Sequence, residues 1–100
     1  MRKLKYDASG LLKELIKHNI SHKDTAAIGE LMIALQSNIA VLKDNDLNEY
    51  IPFMHKSSIK RLINRIDGKI LCVIQQDEDL RFRVIKWKID WAQFVYEVKT

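Results

Sequence analysis

With 100 residues, 47% hydrophobic and 30% charged side chains, three glycines and one proline, the chain has the make-up of one globular domain around one core, which excludes a fibrous repeat, a disordered tract or two ordinary domains. Its apolar runs extend only a few residues, far short of the ~20 that cross a bilayer, and the opening MRKLKYDASGLLKEL lacks the continuous apolar core of a signal peptide, so a soluble, cytoplasmic protein with no membrane partner is expected. The net charge of +4 is unevenly spread: residues 1–23 and 55–88 are basic, while 24–54 carry Lys43 alone against Asp24, Glu30, Asp44, Asp46 and Glu49.

In chain order, Asp7 is placed to cap a first helix over 7–19, with Leu11, Leu12, Leu15 and Ile16 on one stripe and Lys13, Glu14 and Lys17 turned outward. Ser21 and Asp24 have capping-box spacing. Ile28, Leu31, Met32, Leu35, Ile39 and Leu42 then recur at helical intervals and predict a long helix over 24–42. Gly29 inside it weakens helix propensity, and close packing against a neighbour would account for it.

The polar cluster Lys43-Asp44-Asn45-Asp46 breaks that pattern. Asp46 and Glu49 have capping-box spacing for a short helix over 46–51, which Pro52 ends. Ser57 or Ser58 can cap the next helix, 57–66, whose Ile59, Leu62, Ile63 and Ile66 face a core and whose C-terminal stop is Asp67-Gly68.

Residues 69–76 are short, β-branched and apolar, and 81–89 alternate until the phase slips between Val84 and Ile85, so the two read as a hairpin with a bulge or an early strand end. Asp77-Glu78-Asp79 form its turn. Residues 90–98 read as a last helix with Trp91, Phe94, Val95 and Val98 inward, a strand through Val95 and Glu97 being the alternative. Cys72 lies inside the apolar run Ile70 to Ile74 and has no partner for an intramolecular disulfide, so it is expected to be a small buried hydrophobe in a reducing compartment.

The segment DLNEYIPFMHKSSIKRLINRIDGKILCVIQQDEDLRFRVIKW, Asp46 to Trp87, resembles the winged helix-turn-helix superfamily in its order of elements, its loop lengths and the Gly68 between helix and hairpin. With 24–42 as leading helix, the resemblance covers residues 24–89. It implies an α+β, mainly helical fold: a three-helix core with an extra N-terminal helix, 57–66 as recognition helix and 69–89 as a two-stranded wing. It also implies binding to double-stranded DNA.

Helix geometry independently places Ser57, Lys60, Arg61 and Asn64 opposite the apolar stripe, with Arg65 at its margin. Arg and Lys can read guanine, Asn can read adenine, and Ser can contact base or phosphate. These four are expected to carry base and nearby phosphate contacts, while Lys56, Arg65, Lys69, Arg81 and Arg83 supply positioning charge and His55 touches phosphate or caps the helix. The plainer interpretation is an ordinary solvated helix face. Carboxylates at the wing tip would be repelled by phosphate, so the tip would point away from DNA or serve a protein partner.

His18 and His22 have i, i+4 spacing, but the expected helix break between them spoils a metal site and both are taken as exposed. No phosphate-cradling glycine loop, carboxylate pair or nucleophile motif is present, so neither enzymatic activity nor a cofactor is expected. Trp87, Trp91, Phe94 and Tyr96 suit a core or subunit interface better than a base-stacking platform, and the first helix and this tail, outside the three-helix-plus-wing core, are candidate surfaces for a homodimer. The expected role is a small transcriptional regulator or a plasmid or phage replication or segregation factor, the mobile-element origin resting on the Lys- and Ile-rich usage of an AT-rich genome. The other expectation is a protein-interaction module that uses a winged-helix scaffold and binds a host factor through Asp77, Glu78 and Asp79 or the aromatic tail.

Overall fold

In the computed structural model, which describes residues 3–79 and 81–99, four α-helices and two small antiparallel sheets form an α+β fold. The helices are α1 (Ala8–Lys17), α2 (Thr25–Leu35), α3 (Leu47–Tyr50) and α4 (Lys56–Ile66). The strands are β1 (Lys3–Tyr6), β2 (Ile39–Lys43), β3 (Leu71–Gln76), β4 (Phe82–Trp87) and β5 (Val95–Val98). β1 pairs with β5, and the second sheet runs β2-β4-β3.

α1 starts where the sequence places it: the Asp7 carboxylate accepts from the Gly10 N–H at 3.0 Å, and Leu11 and Leu15 are fully buried. α2 supplies Ala27, Ile28, Leu31 and Met32 to the core. Ser21 caps only the 3-10 turn His22–Asp24, and Asp24, at the N-cap of α2, makes no side-chain capping bond. Gly29 is buried against Tyr6 of β1, whose ring occupies the place a Cβ would take.

The expected helix over 24–42 is shorter than its apolar stripe. It stops at Leu35, where Gln36 turns left-handed (φ 45°), donates its N–H to Met32 O at 3.0 Å and its side-chain amide to Ile33 O at 3.0 Å. Ile39 and Leu42 continue the helical spacing by coincidence, since Ile39–Lys43 is a strand alternating Ala40 and Leu42 inward with Ile39 and Val41 outward. Its partner is β4, in register Ile39↔Lys86 through Lys43↔Phe82, so tertiary pairing overrides the local period.

The hairpin is therefore part of a three-stranded sheet rather than a two-stranded wing. Its irregularity lies opposite the phase slip at Val84 and Ile85: Val73 faces Ile85 and Gln75 faces Val84, which leaves Ile74 as the extra residue on β3. Leu80, within the expected wing, lies outside the described residues. Cys72 is half-buried on β3, beside Lys86 of β4, instead of fully enclosed.

The tail forms a 3-10 turn, Trp91–Phe94, capped by Asp90, and then β5, in place of a helix over 90–98. Residues 3–6, not read as structured from the sequence, supply the strand it needs, with Lys3↔Val98 through Tyr6↔Val95 in register. α1 and the tail do not sit outside the core. Leu11, Leu15, Trp87 and Phe94 belong to the same buried cluster as Ile59, Leu62, Ile63 and Ile66, and Trp91 donates its indole N–H to Asn38 Oδ1 at 3.0 Å.

Gly29→Ala should destabilise the fold by roughly 1–3 kcal/mol through overpacking against Tyr6, despite a gain of up to ~1 kcal/mol in helix propensity. In a Tyr6→Ala background the same substitution should become neutral or stabilising. Urea denaturation of the four proteins checks the sign change.

Candidate nucleic-acid interface

α3 buries Leu47 and is followed by a tight turn in which Ile51 is fully buried, Met54 N–H donates to Ile51 O at 3.3 Å, and the Asn48 side chain donates to Met54 O at 2.6 Å. Pro52 and Phe53 lie exposed on that turn. Neither Asp46 nor Glu49 forms the expected capping box, since the N-cap position Asp46 makes no side-chain capping bond. Burial first, and then the carboxylates of Asp46 and Glu49, push the Tyr50 hydroxyl above its ordinary pKa.

α4 begins at Lys56, one residue before the expected start, because His55 is its cap rather than Ser57 or Ser58. His55 Nδ1 accepts from the Ser57 N–H at 3.3 Å and lies 2.9 Å from Ser57 Oγ. Of the two roles open to His55 in the sequence, its contact here is the capping one. The helix buries Ile59, Leu62, Ile63 and Ile66. Asp67 and then Gly68, with φ 84°, turn the chain into β3, and the Asp67 carboxylate accepts from Val73 N–H at 2.9 Å.

The residues expected to face nucleic acid divide by their contacts. Ser57, Arg61, Asn64 and Arg65 are exposed on the outer side of α4, and Arg61 has no ion pair among the described residues. Lys56 and Lys60, one helical turn apart, both point to Asp44: each Nζ lies 2.7 Å from a different carboxylate oxygen. Arg83 comes in from β4 beside this pair, lining a small void with Asp44, Lys60 and Ile63, and its Nη1 is buried without a hydrogen-bond partner.

At the other end of α4, Arg65 bonds Asp24 at 3.0 Å, and Lys69 Nζ donates to Asn19 O at 3.3 Å. Arg81 is held at the hairpin turn, its Nε 3.0 Å from Asp77 Oδ2 and its Nη2 3.7 Å from Asp79 Oδ2, so the acidic tip is partly neutralised from within. The Arg81 backbone N–H donates to the same Asp77 oxygen at 3.2 Å.

The counter-ions Asp24 and Asp44 were missed as site residues, whereas Asp77 and Asp79 were expected as acids of the hairpin tip but not as partners of Arg81. The trace of Asp24 and Asp44 in the sequence is the acidic stretch 24–54 between two basic ones, whose charges the fold brings together across 41 residues for Arg65 and Asp24. The bonds from Lys56 and Lys60 hold the Asp44 carboxyl below its ordinary pKa, and the Arg81 side chain does the same for Asp77.

Among the described residues no group of three His, Cys, Asp or Glu side chains is placed to hold a metal ion. His18, expected to be exposed, is half-buried and bonds Glu14 at 3.2 Å, while His22 is exposed in the 3-10 turn. Among the described residues no helix is long and apolar enough to cross a membrane. No family model matches the chain, and neither the curated proteins nor the solved structures yield a match.

His55→Ala should cost about 0.5–2 kcal/mol, the usual effect of losing an N-cap acceptor, and His55→Asp should recover most of it. Chemical denaturation with helix content followed by circular dichroism measures both. Because the folded-state pKa values of Asp44 and Asp77 are lowered, the stabilisation they give is complete above their ordinary value of 3.8 and is lost as pH falls through the lower folded values. Carboxyl NMR titration should place both midpoints below 3.8, and Lys56→Met/Lys60→Met should return Asp44 toward that value while leaving Asp77 unchanged. A wild-type Asp44 midpoint at or above 3.8 would mean that the clamp does not form in solution.

Proposed function

We propose that this protein binds double-stranded DNA through the exposed face of α4, in the manner of a winged helix-turn-helix. The observation that carries this reading is the division of α4 itself, which buries four large aliphatic side chains completely while presenting Ser57, Arg61 and Asn64 outward with Arg61 free of any described ion pair. The order α2, β2, α3, tight turn, α4 and a two-strand hairpin agrees with the same reading. Recognition helices contact base edges mainly through their N-terminal half, where Ser57 and Arg61 lie, and Asn64 follows one turn behind Lys60 and Arg61.

Arg61 would take guanine or phosphate, Asn64 adenine, and Ser57 a phosphate or base edge. Arg65, Lys69, Arg81 and Arg83 then contribute field and positioning, since the first three are engaged with Asp24, Asn19 and Asp77. In a two-fold homodimer the two α4 helices would enter successive major grooves about 34 Å apart. A transcriptional regulator, or a plasmid or phage replication or segregation factor, is the process this would serve.

The competing interpretation, a protein-docking module that uses the acidic hairpin tip or the aromatic tail, has less support. Asp77 is already bonded to Arg81, and Trp87 and Phe94 are core residues.

Fluorescence anisotropy with labelled mixed-sequence duplex DNA should show binding that weakens steeply with salt. Arg61→Ala should cost about 1–3 kcal/mol if the side chain reads a base, or lower the salt slope by about one if it meets phosphate. Absence of binding by wild type at low salt would sink the DNA reading.

A further inference from the structure

We propose that Asp44 is a built-in competitor of phosphate, which holds Lys56 and Lys60 out of nucleic-acid binding and so limits the affinity of the α4 surface. This rests on the DNA reading above and deepens it by naming what restrains the site. Lys56 and Lys60 lie at i and i+4 on one flank of α4, a natural place for two backbone-phosphate contacts beside Arg61. Instead, each ammonium sits 2.7 Å from its own oxygen of the Asp44 carboxylate.

The carboxylate is held in that place by the sheet. Asp44 N–H donates to Arg81 O at 2.8 Å, directly beyond the last β2-β4 pair, Lys43↔Phe82, so the residue extends the ladder and is not a free surface acid. Its side chain is 22% exposed, against 37% and 39% for the two lysines. The lysines therefore remain reachable from solvent, while the acid between them is sheltered.

Arg83 of β4 lines the same small void as Asp44 and Lys60 without a described ion pair to that acid, and so adds a third positive charge to the neighbourhood. That excess positive charge is what a phosphate oxygen would meet if Asp44 were neutral. A lysine already paired with a carboxylate can neutralise a phosphate only by giving up that pair, so it contributes little to the release of the cations condensed on DNA. The arrangement gives an exposed reading head, Arg61 with Asn64 and Ser57, and a silent pair of cations at its flank.

The test is a double-mutant cycle between Asp44→Asn and Lys56→Gln/Lys60→Gln, read by duplex-DNA anisotropy across a salt series and by elution from a heparin column. Asp44→Asn should tighten duplex binding roughly ten- to a hundredfold at ~50 mM salt and steepen the salt slope by up to about 1.8, the value for two added phosphate contacts. Lys56→Gln/Lys60→Gln should change the wild type little and abolish the gain in the Asp44→Asn protein. Glu49→Gln, the same loss of one negative charge at an exposed residue of α3, controls for net charge and should give a much smaller gain.

Equal losses from Lys56→Gln/Lys60→Gln in the wild-type and Asp44→Asn backgrounds would overturn the proposal, as would an unchanged or weaker Asp44→Asn protein that still melts cooperatively. Should Asp44→Asn fail to fold, the loss caused by the lysine substitutions in the wild type decides alone: a small loss supports masking, a large one overturns it. If neither wild type nor Asp44→Asn binds duplex, the DNA reading fails. In that case a lysine-dependent delay of Asp44→Asn on heparin still upholds masking of an anion-binding pair, and its absence overturns masking too.

Discussion

The pairing of β2 with β4 is the constraint on which the rest of the molecule depends. It ends α2 at Leu35, because residues 39–43 must leave the helix to meet the strand that runs from Phe82 to Trp87. It turns the hairpin after α4 into part of a three-stranded sheet. Through the bond from Asp44 N–H to Arg81 O it also anchors the start of the α3 segment, and with it the carboxylate that receives Lys56 and Lys60. One ladder between segments about forty residues apart thus overrides the local helical period and positions the candidate surface. An edge strand with the β-branched residues Ile39 and Val41 on its outer face suits that role, since such residues fit a pleated surface better than a helix interior.

A second sheet, β1 with β5, closes the chain's two ends against α2. Tyr6 of β1 lies on Gly29, so the residue with the poorest fit to a helix interior is the one that lets the strand approach. This draws α1 and the aromatic tail into the common core. α4 therefore rests on a buried layer built from both halves of the chain, and its outward side chains inherit a fixed platform.

Electrostatically the candidate surface is more restrained than a tally of its basic residues implies. Lys56, Lys60, Arg65 and Arg81 each face a carboxylate within 3.0 Å, and Lys69 a backbone carbonyl. Exposed ion pairs contribute little to stability, yet they matter for binding because a paired cation offers less to an incoming phosphate. The acidic hairpin tip, an obstacle to DNA approach when read as three free carboxylates, is softened by Arg81 lying across Asp77 and Asp79.

Sequence alone determined the features whose causes are local. The capped start of α1 at Asp7, the buried stripe and polar face of α4, and the stop at Asp67-Gly68 all depend on contacts within a turn or two of helix, and each was legible from residue spacing. The hairpin and its irregularity were legible as well, although the extra residue proved to be Ile74 on β3. The end of α2 was not, because Gln36-Ser37-Asn38 contains no glycine or proline and Ile39 and Leu42 happen to keep helical phase. Strand β1 was hidden and β5 stood only as the alternative to a helix, because each has a partner only at the far end of the chain, and the ion pairs were hidden because Asp24 and Asp44 meet their cations only after the helices pack. Periodicity records which face of an element is apolar; which strand or charge stands opposite is decided by the tertiary fold, since pairing energy is gained only when distant segments are brought together.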